Sequence, residues 1–151
     1  MSSGFDGRLI GELLRNPNAA RVRFVERGLA LAGHPAIRQP HLPIFEYIDR
    51  ERGSRVSYLA KHANITAQAM GELVDYLTAH GYVERVPDPA DGRAKIIRLS
   101  GRGREAQALA QGIFADIERE WAERVGRERM DTLREVLEEL TALEPASAQP
   151  A

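Results

Sequence analysis

Apolar positions along the 151-residue chain recur at helical spacing over most of its length, with one stretch of strand-like alternation. Residues 8–33 read as helix, with Leu9, Ile10, Leu13 and Leu14 on one stripe and Val22, Val25 and Leu29 on a later one. Asn16-Pro17-Asn18 interrupts the pattern. Either Asn16 caps a second helix with Pro17 in its first turn, or Pro17 kinks a single long helix. After Gly33-His34-Pro35, the run Leu42, Ile44, Phe45, Tyr47, Ile48 predicts a short buried helix over 42–49, followed by a charged turn.

The next segment carries the sharpest pattern. With Ser54 as N-cap, Val56, Leu59, Ala60 and Ala63 fall at i, i+3, i+4 and i+7, giving a helix with one buried face. Asn64 suits the left-handed turn that ends it, and Thr66 caps a second helix in which Met70, Leu73, Val74 and Leu77 repeat the spacing up to His80-Gly81. Small Ala60 permits close helix approach, while Ile65, Met70 and Leu73 anchor the second helix on the first, so the pair reads as a helix-turn-helix.

Residues 82–86 and 96–99 then form two short strands around the turn Asp88-Pro89-Ala90-Asp91-Gly92. Ser100 caps a long helix with the stripe Ala106, Leu109, Ile113, Phe114, Ile117 and Trp121. After Gly126, a last helix carries Met130, Leu133, Val136, Leu137, Leu140 and Leu143. Residues 144–151 are expected to be a flexible tail. The fold class is mainly α with a small β-hairpin wing (α+β), organised as one domain over 1–143: terminal helices 8–33 and 105–143 flank a lobe over 38–104.

Composition narrows the function. The chain has no cysteine, which excludes disulfides and thiolate chemistry, and four scattered histidines supply no metal-binding spacing. No leader pattern or membrane-length apolar stretch is visible, so a cytoplasmic location is expected, with no membrane partner. Net charge is −1 but unevenly spread. Residues 51–104 carry nine basic and six acidic groups, whereas 105–151 carry five and eleven. A basic middle suits one face meeting a polyanion. No phosphate loop, nucleophile elbow or framed carboxylate pair argues for an enzyme, and no cofactor is expected.

The stretch LVDYLTAHGYVERVPDPADGRAKIIRLSGRGR, residues 73–104, resembles the recognition-helix end, the wing with its Asp-x-Arg signature (Asp91, Arg93), and the Leu-Thr-x-x-Gly-Arg element of the MarR family of winged-helix regulators. Ser100 stands in place of the Thr, and Gly71-Glu72 in place of a hydroxyl residue and an Arg. The resemblance covers roughly residues 38 to 143. It implies a transcriptional regulator, ligand-responsive and repressing, on double-stranded DNA.

A helix fits the major groove, so Thr66, Ala67, Gln68, Ala69, Gly71 and Glu72 become candidate base readers. Gln68 can pair bidentately with adenine, Glu72 can accept from cytosine, and Tyr76 either donates to a phosphate or packs. Arg93, beside the hairpin tip, is placed to enter a narrow minor groove, with Asp91 holding the wing or a neighbouring Arg. Arg85, Lys95, Arg98, Arg52, Arg55 and Lys61 are candidate phosphate contacts. Terminal helices with more apolar surface than a small domain covers predict a homodimer on half-sites about one turn, ~10 bp, apart. The resemblance further implies an effector cleft, for which His34, Arg38, His41, Tyr47 and Trp121 are the candidates. A winged helix serving protein interaction without DNA is the rival reading, supported by Glu72 and Asp75.

Overall fold

The structure, a computed structural model, describes residues 8–143; the expected tail, 144–151, lies outside them. Helix α1 (Ile10–Leu31) leads through a single 3-10 turn (Gln39–His41) into α2 (Leu42–Tyr47). There follow α3 (Val56–Ala63), α4 (Ala67–Ala79), β1 (Val83–Asp88), β2 (Asp91–Leu99), α5 (Gly101–Val125) and α6 (Arg127–Ala142). Two compact units result, residues 1–114 and 115–151, with the division falling inside α5.

Pro17 lies within α1, which is one helix, and Asn16 caps nothing because the N-cap is Leu9. Pro17, the eighth residue of α1, has no N–H to give the Leu13 carbonyl, so the helix continues through it one hydrogen bond short. Of the two predicted stripes only the second is internal. Val25 and Leu29 are fully buried, whereas Leu9 and Ile10 remain about two-thirds exposed, at 67% and 64%.

The first unit's core gathers Ile37, Leu42, Ile44, Phe45, Leu59, Met70, Val74, Leu77, Tyr82 and Ile97 around α3 and α4. Asn64 adopts the left-handed conformation (φ 57°) and Thr66 Oγ1 accepts the Ala69 N–H at 3.1 Å, as the turn pattern predicts. Ile65 does not anchor α4; it lies half-exposed in the turn. Ser54 is not the N-cap of α3, a position Arg55 takes without a side-chain bond. Ser54 is instead buried and exchanges both backbone hydrogen bonds with Ile97 (2.9 and 2.7 Å), adding a one-residue third rung to the hairpin. Its hydroxyl accepts the Asp49 N–H at 2.9 Å. Gly53 (φ 78°) is required beside it, because a Cβ there would strike the Ile97 carbonyl.

The strands are longer than their apolar residues suggested. They pair antiparallel from Val83↔Leu99 to Asp88↔Asp91, with an irregularity at Pro87/Asp88, so only Pro89-Ala90 form the tip. Tyr82 precedes β1 and is fully buried, its hydroxyl hydrogen-bonded to His34 Nδ1 at 2.8 Å and its ring edge-on to Phe45. Ser100 Oγ accepts the Gly103 N–H at 3.0 Å and donates to the Gly81 carbonyl at 2.6 Å. It thus caps α5 and ties it to the end of α4. On α5 the inward face is Gly103, Ala106, Gln107, Ala110, Phe114 and Ile117; Leu109, placed on the stripe from the sequence, is half-exposed. Gln107 fits because its amide donates to the carbonyls of Phe45 (3.0 Å) and Ile48 (3.4 Å).

In the second unit, α6 buries no residue: Leu133, Val136, Leu140 and Leu143 are 44–64% exposed, and Met130 and Leu137 are half-buried. Arg134 pairs with Glu118 at 2.8 Å and Arg124 with Glu120 at 3.1 Å.

Candidate nucleic-acid interface

The predicted readers share one exposed surface at the start of α4. Thr66, Ala67, Gln68 and Glu72 are exposed, and Ala69 and Gly71 half-exposed. Thr66 spends its side-chain oxygen on the cap, leaving its hydroxyl proton available. No neighbour approaches the Gly71 Cα within 4 Å on its side-chain side, so α4 presents a smooth backbone there.

Tyr76 belongs to the interior edge of α4, not to that surface. Its hydroxyl donates to the Ala36 carbonyl at 2.7 Å and its ring stacks on His41, 4.4 Å between centroids at 6°. The proton a phosphate contact needs is therefore committed, and of the two readings of Tyr76 packing prevails. His80 completes the stack, 4.2 Å from Tyr76.

Several arginines expected to meet phosphates have carboxylate partners on the protein. Arg85 pairs with Asp75 of α4 at 2.8 Å and donates to the Gly71 carbonyl, bridging β1 to the helix. Arg98 pairs with Glu84 directly across the hairpin at 3.1 Å. Arg55 binds Asp88 through Nε and Nη2 at 3.1 and 2.8 Å. The Arg85 and Arg98 pairs are open to solvent and screened, so they orient side chains more than they stabilise, whereas the Asp88 side chain is only 14% exposed. Among the described residues Arg93, Lys95, Arg52 and Lys61 make no ion pair and are exposed. Arg85 also neutralises Asp75, one of the two acidic residues that favoured the rival reading.

Asp91 Oδ1 accepts the Arg93 N–H at 3.1 Å at the start of β2, where Arg93 is exposed. Arg55 is held by Asp88, a residue whose sequence context marks it only as a turn former. Asp88 also accepts the Ala90 N–H at 2.9 Å; this bond and then the Arg55 guanidinium hold its carboxyl below the ordinary carboxylate range.

The five residues expected at an effector cleft have the following surroundings, each within its own unit. His34 is buried against Tyr82, His41 is buried against Tyr76, exposed Tyr47 lies 5.1 Å from His62, and Trp121 is half-buried in the second unit. Arg38 lines a cavity of about 300 Å³ with Arg23, Glu26, Arg27, Ala30, Pro35 and Gln39. Arg23 and Arg27 stand one helical turn apart on α1, a spacing legible in the sequence. Among the described residues no three His, Asp or Glu converge as metal ligands, and no helix is long and apolar enough to cross a membrane.

A MarR family model matches residues 37–94, from the core of the lobe to just past Arg93. Over that stretch the chain matches the MarR family. The MarR fold extends beyond that match. CouR from Rhodococcus jostii RHA1 bound to p-coumaroyl-CoA superposes with a TM-score of 0.75 at 22% identity, over 91% of this chain and 95% of that one. CouR, a transcriptional repressor, bound to a 23-mer DNA duplex gives 0.72 at 22% identity over 93% and 98%. Rv2887, a MarR-family protein of Mycobacterium tuberculosis complexed with salicylic acid, gives 0.64 at 24% identity over 88% and 96%. No curated protein matches the sequence.

Proposed function

We propose that this MarR-family chain is a dimeric, sequence-specific double-stranded DNA-binding regulator of transcription, a ligand-responsive repressor acting on a pseudo-palindromic site, and not an enzyme. The observation that carries it is the joint exposure of the α4 readers and an unpaired Arg93 on a wing braced at Ser54, Arg55 and Arg85. Gln68 and its neighbours would enter the major groove, Arg93 the flanking minor groove, and Lys95, Lys61 and Arg52 would meet phosphates.

The exposed apolar stripes Leu9, Ile10, Leu13, Leu14 on α1 and Leu133, Val136, Leu140 on α6 support assembly of two copies. The CouR structures with DNA and with p-coumaroyl-CoA, and Rv2887 with salicylic acid, support DNA and a small organic ligand as partners.

Selection of bound fragments from a random DNA pool, followed by titration over a salt series, tests the reading. The expected result is a two-fold symmetric site with half-sites about 10 bp apart and affinity that falls steeply with salt. Intact dimers that bind no DNA even at low salt would favour the interaction module instead.

A further inference from the structure

The wing carries the sequence Asp91-Gly92-Arg93 on backbone that the hairpin leaves unpaired. Its register passes from Pro87↔Lys95 directly to Asp88↔Asp91, so Gly92, Arg93 and Ala94 have no partner residue on β1. Asp91, Gly92 and Arg93 are all exposed, and no atom lies within 4 Å of the side-chain position of Gly92.

The Asp91 side chain folds back over this free backbone. Its Oδ1 accepts the Arg93 N–H at 3.1 Å, which closes an Asx turn. In such a turn the carboxyl carbon Cγ sits over the intervening peptide nitrogen, here that of Gly92. The Arg93 N–H is also in place to hold negative charge as it develops on Oδ1.

Two other aspartates make the same turn without an open nitrogen. Asp88 Oδ1 accepts the Ala90 N–H at 2.9 Å, but the intervening residue is Pro89, whose nitrogen carries no proton. Asp49 Oδ1 accepts the N–H groups of Glu51 and Arg52 at 2.9 and 2.7 Å, and the intervening nitrogen is flanked by the Arg50 side chain. Asp75, Asp116 and Asp131 lie inside helices, where the nitrogen that follows each is held in the helical ladder. Among the described aspartates, Asp91 therefore faces the one unhindered N–H outside a ladder.

We propose that Asp91 is a site of spontaneous aspartyl isomerisation, which converts the wing to an isoaspartyl form and displaces Arg93. The Gly92 nitrogen attacks Asp91 Cγ, and the carboxylic hydroxyl leaves as water with the Gly92 proton. A cyclic succinimide results. Water then adds to either carbonyl of the ring: opening at Cγ restores aspartate, whereas opening at the backbone carbonyl leaves Gly92 joined through Cγ. Mass is unchanged, but the main chain now runs through Cβ, and the side-chain carboxylate that accepted the Arg93 N–H no longer exists. The consequence for DNA rests on the regulator reading; the chemistry does not.

Ageing of the full-length chain at neutral pH and physiological temperature, followed by tryptic digestion and electron-transfer fragmentation, tests the site. Residues 86–93 and 1–8 form separate tryptic peptides, so Asp91 is read apart from the other Asp-Gly of the chain, Asp6-Gly7. Isoaspartate should build up at Asp91 and not at Asp49 or Asp88, at least as fast as in the free peptide 86–93. No isoaspartate at Asp91 overturns the site, and slower build-up than in the peptide overturns the part assigned to the folded turn. Gly92→Ala, which has room for its methyl group, should lose most of the isoaspartate. An equal rate in that variant overturns attack by an unhindered nitrogen.

The displacement is read without DNA. The Arg93 amide should exchange faster in the aged chain, as followed by NMR, and treatment with an L-isoaspartyl methyltransferase and S-adenosylmethionine should reverse the change. Unaltered exchange overturns the displacement. The aged wild type should also lose affinity for its selected DNA in proportion to its isoaspartate, while aged Gly92→Ala keeps the affinity it had when fresh; equal affinity of aged and fresh wild type overturns the effect on DNA. If fragment selection yields no site but the first two measurements succeed, the regulator reading fails alone.

Discussion

Arg55, at the start of α3, grips the Asp88 carboxylate at the turn of the wing across 33 residues of chain, with two nitrogens within 3.1 Å. The wing is therefore fastened near its tip as well as at its root. Asp88→Asn should speed amide exchange through the hairpin and weaken DNA binding, because it removes the charge that Arg55 grips. The same loosening should appear in the wild type at acid pH. The folded-state carboxyl lies below its ordinary value of 3.8, so the bond is complete above that value and is lost as pH falls through the lowered pKa. Exchange followed by mass spectrometry checks both.

His41 provides a second pH test. Burial first, then the nearby His80 charge, hold its pKa below the ordinary 6.5, and its Nδ1 must stay unprotonated to accept the Arg38 N–H. Stability from this residue is fully present above 6.5 and declines as pH falls from there through the lowered folded value. Urea denaturation across that window should show the decline, and His41→Phe, which keeps an aromatic ring on Tyr76, should flatten it.

Two glycines of α5 should respond in opposite directions. A Cβ on Gly103 would collide with the Tyr82 carbonyl, so Gly103→Ala should cost about 1–3 kcal/mol. Gly112 has nothing within 4 Å, and Gly112→Ala should add about 0.5–1 kcal/mol through helix propensity. Denaturant midpoints of the pair check this.

At the DNA surface, Gln68→Ala should cost about 1–3 kcal/mol and relax preference at one base position, if the amide reads a base edge. Lys95→Ala should weaken binding to all sequences alike and reduce the salt slope by about 1. Arg93→Ala should lower affinity most for sites flanked by A·T tracts. Titration of a small operator panel at several salt concentrations separates the three.

On α6, Leu133→Glu with Leu140→Glu should convert dimers to monomers and abolish DNA binding at protein concentrations where the wild type binds. Light scattering and gel shift measure the two outcomes. Dimers that persist would place the interface elsewhere.

Local chemistry was enough to reveal the order of elements: the left-handed turn at Asn64, the Thr66 cap, the Ser100 cap and the exposed face of α4 all depend on residues within a few positions of one another. The family resemblance was likewise carried by one contiguous stretch. Tertiary structure alone decided what those residues do with distant partners. Ser54 reads locally as a cap, but its backbone pairs with Ile97; Tyr76 reads as either a phosphate donor or a packing residue, and its proton goes to Ala36, forty positions back. Arg55, Arg85 and Arg98 look interchangeable with Arg93 in a string of letters, yet only the folding of carboxylates beside the first three distinguishes them. Periodicity records which face of an element is buried, and caps record where it ends; neither encodes which donor meets which acceptor across the chain, because that depends on how separately legible elements pack.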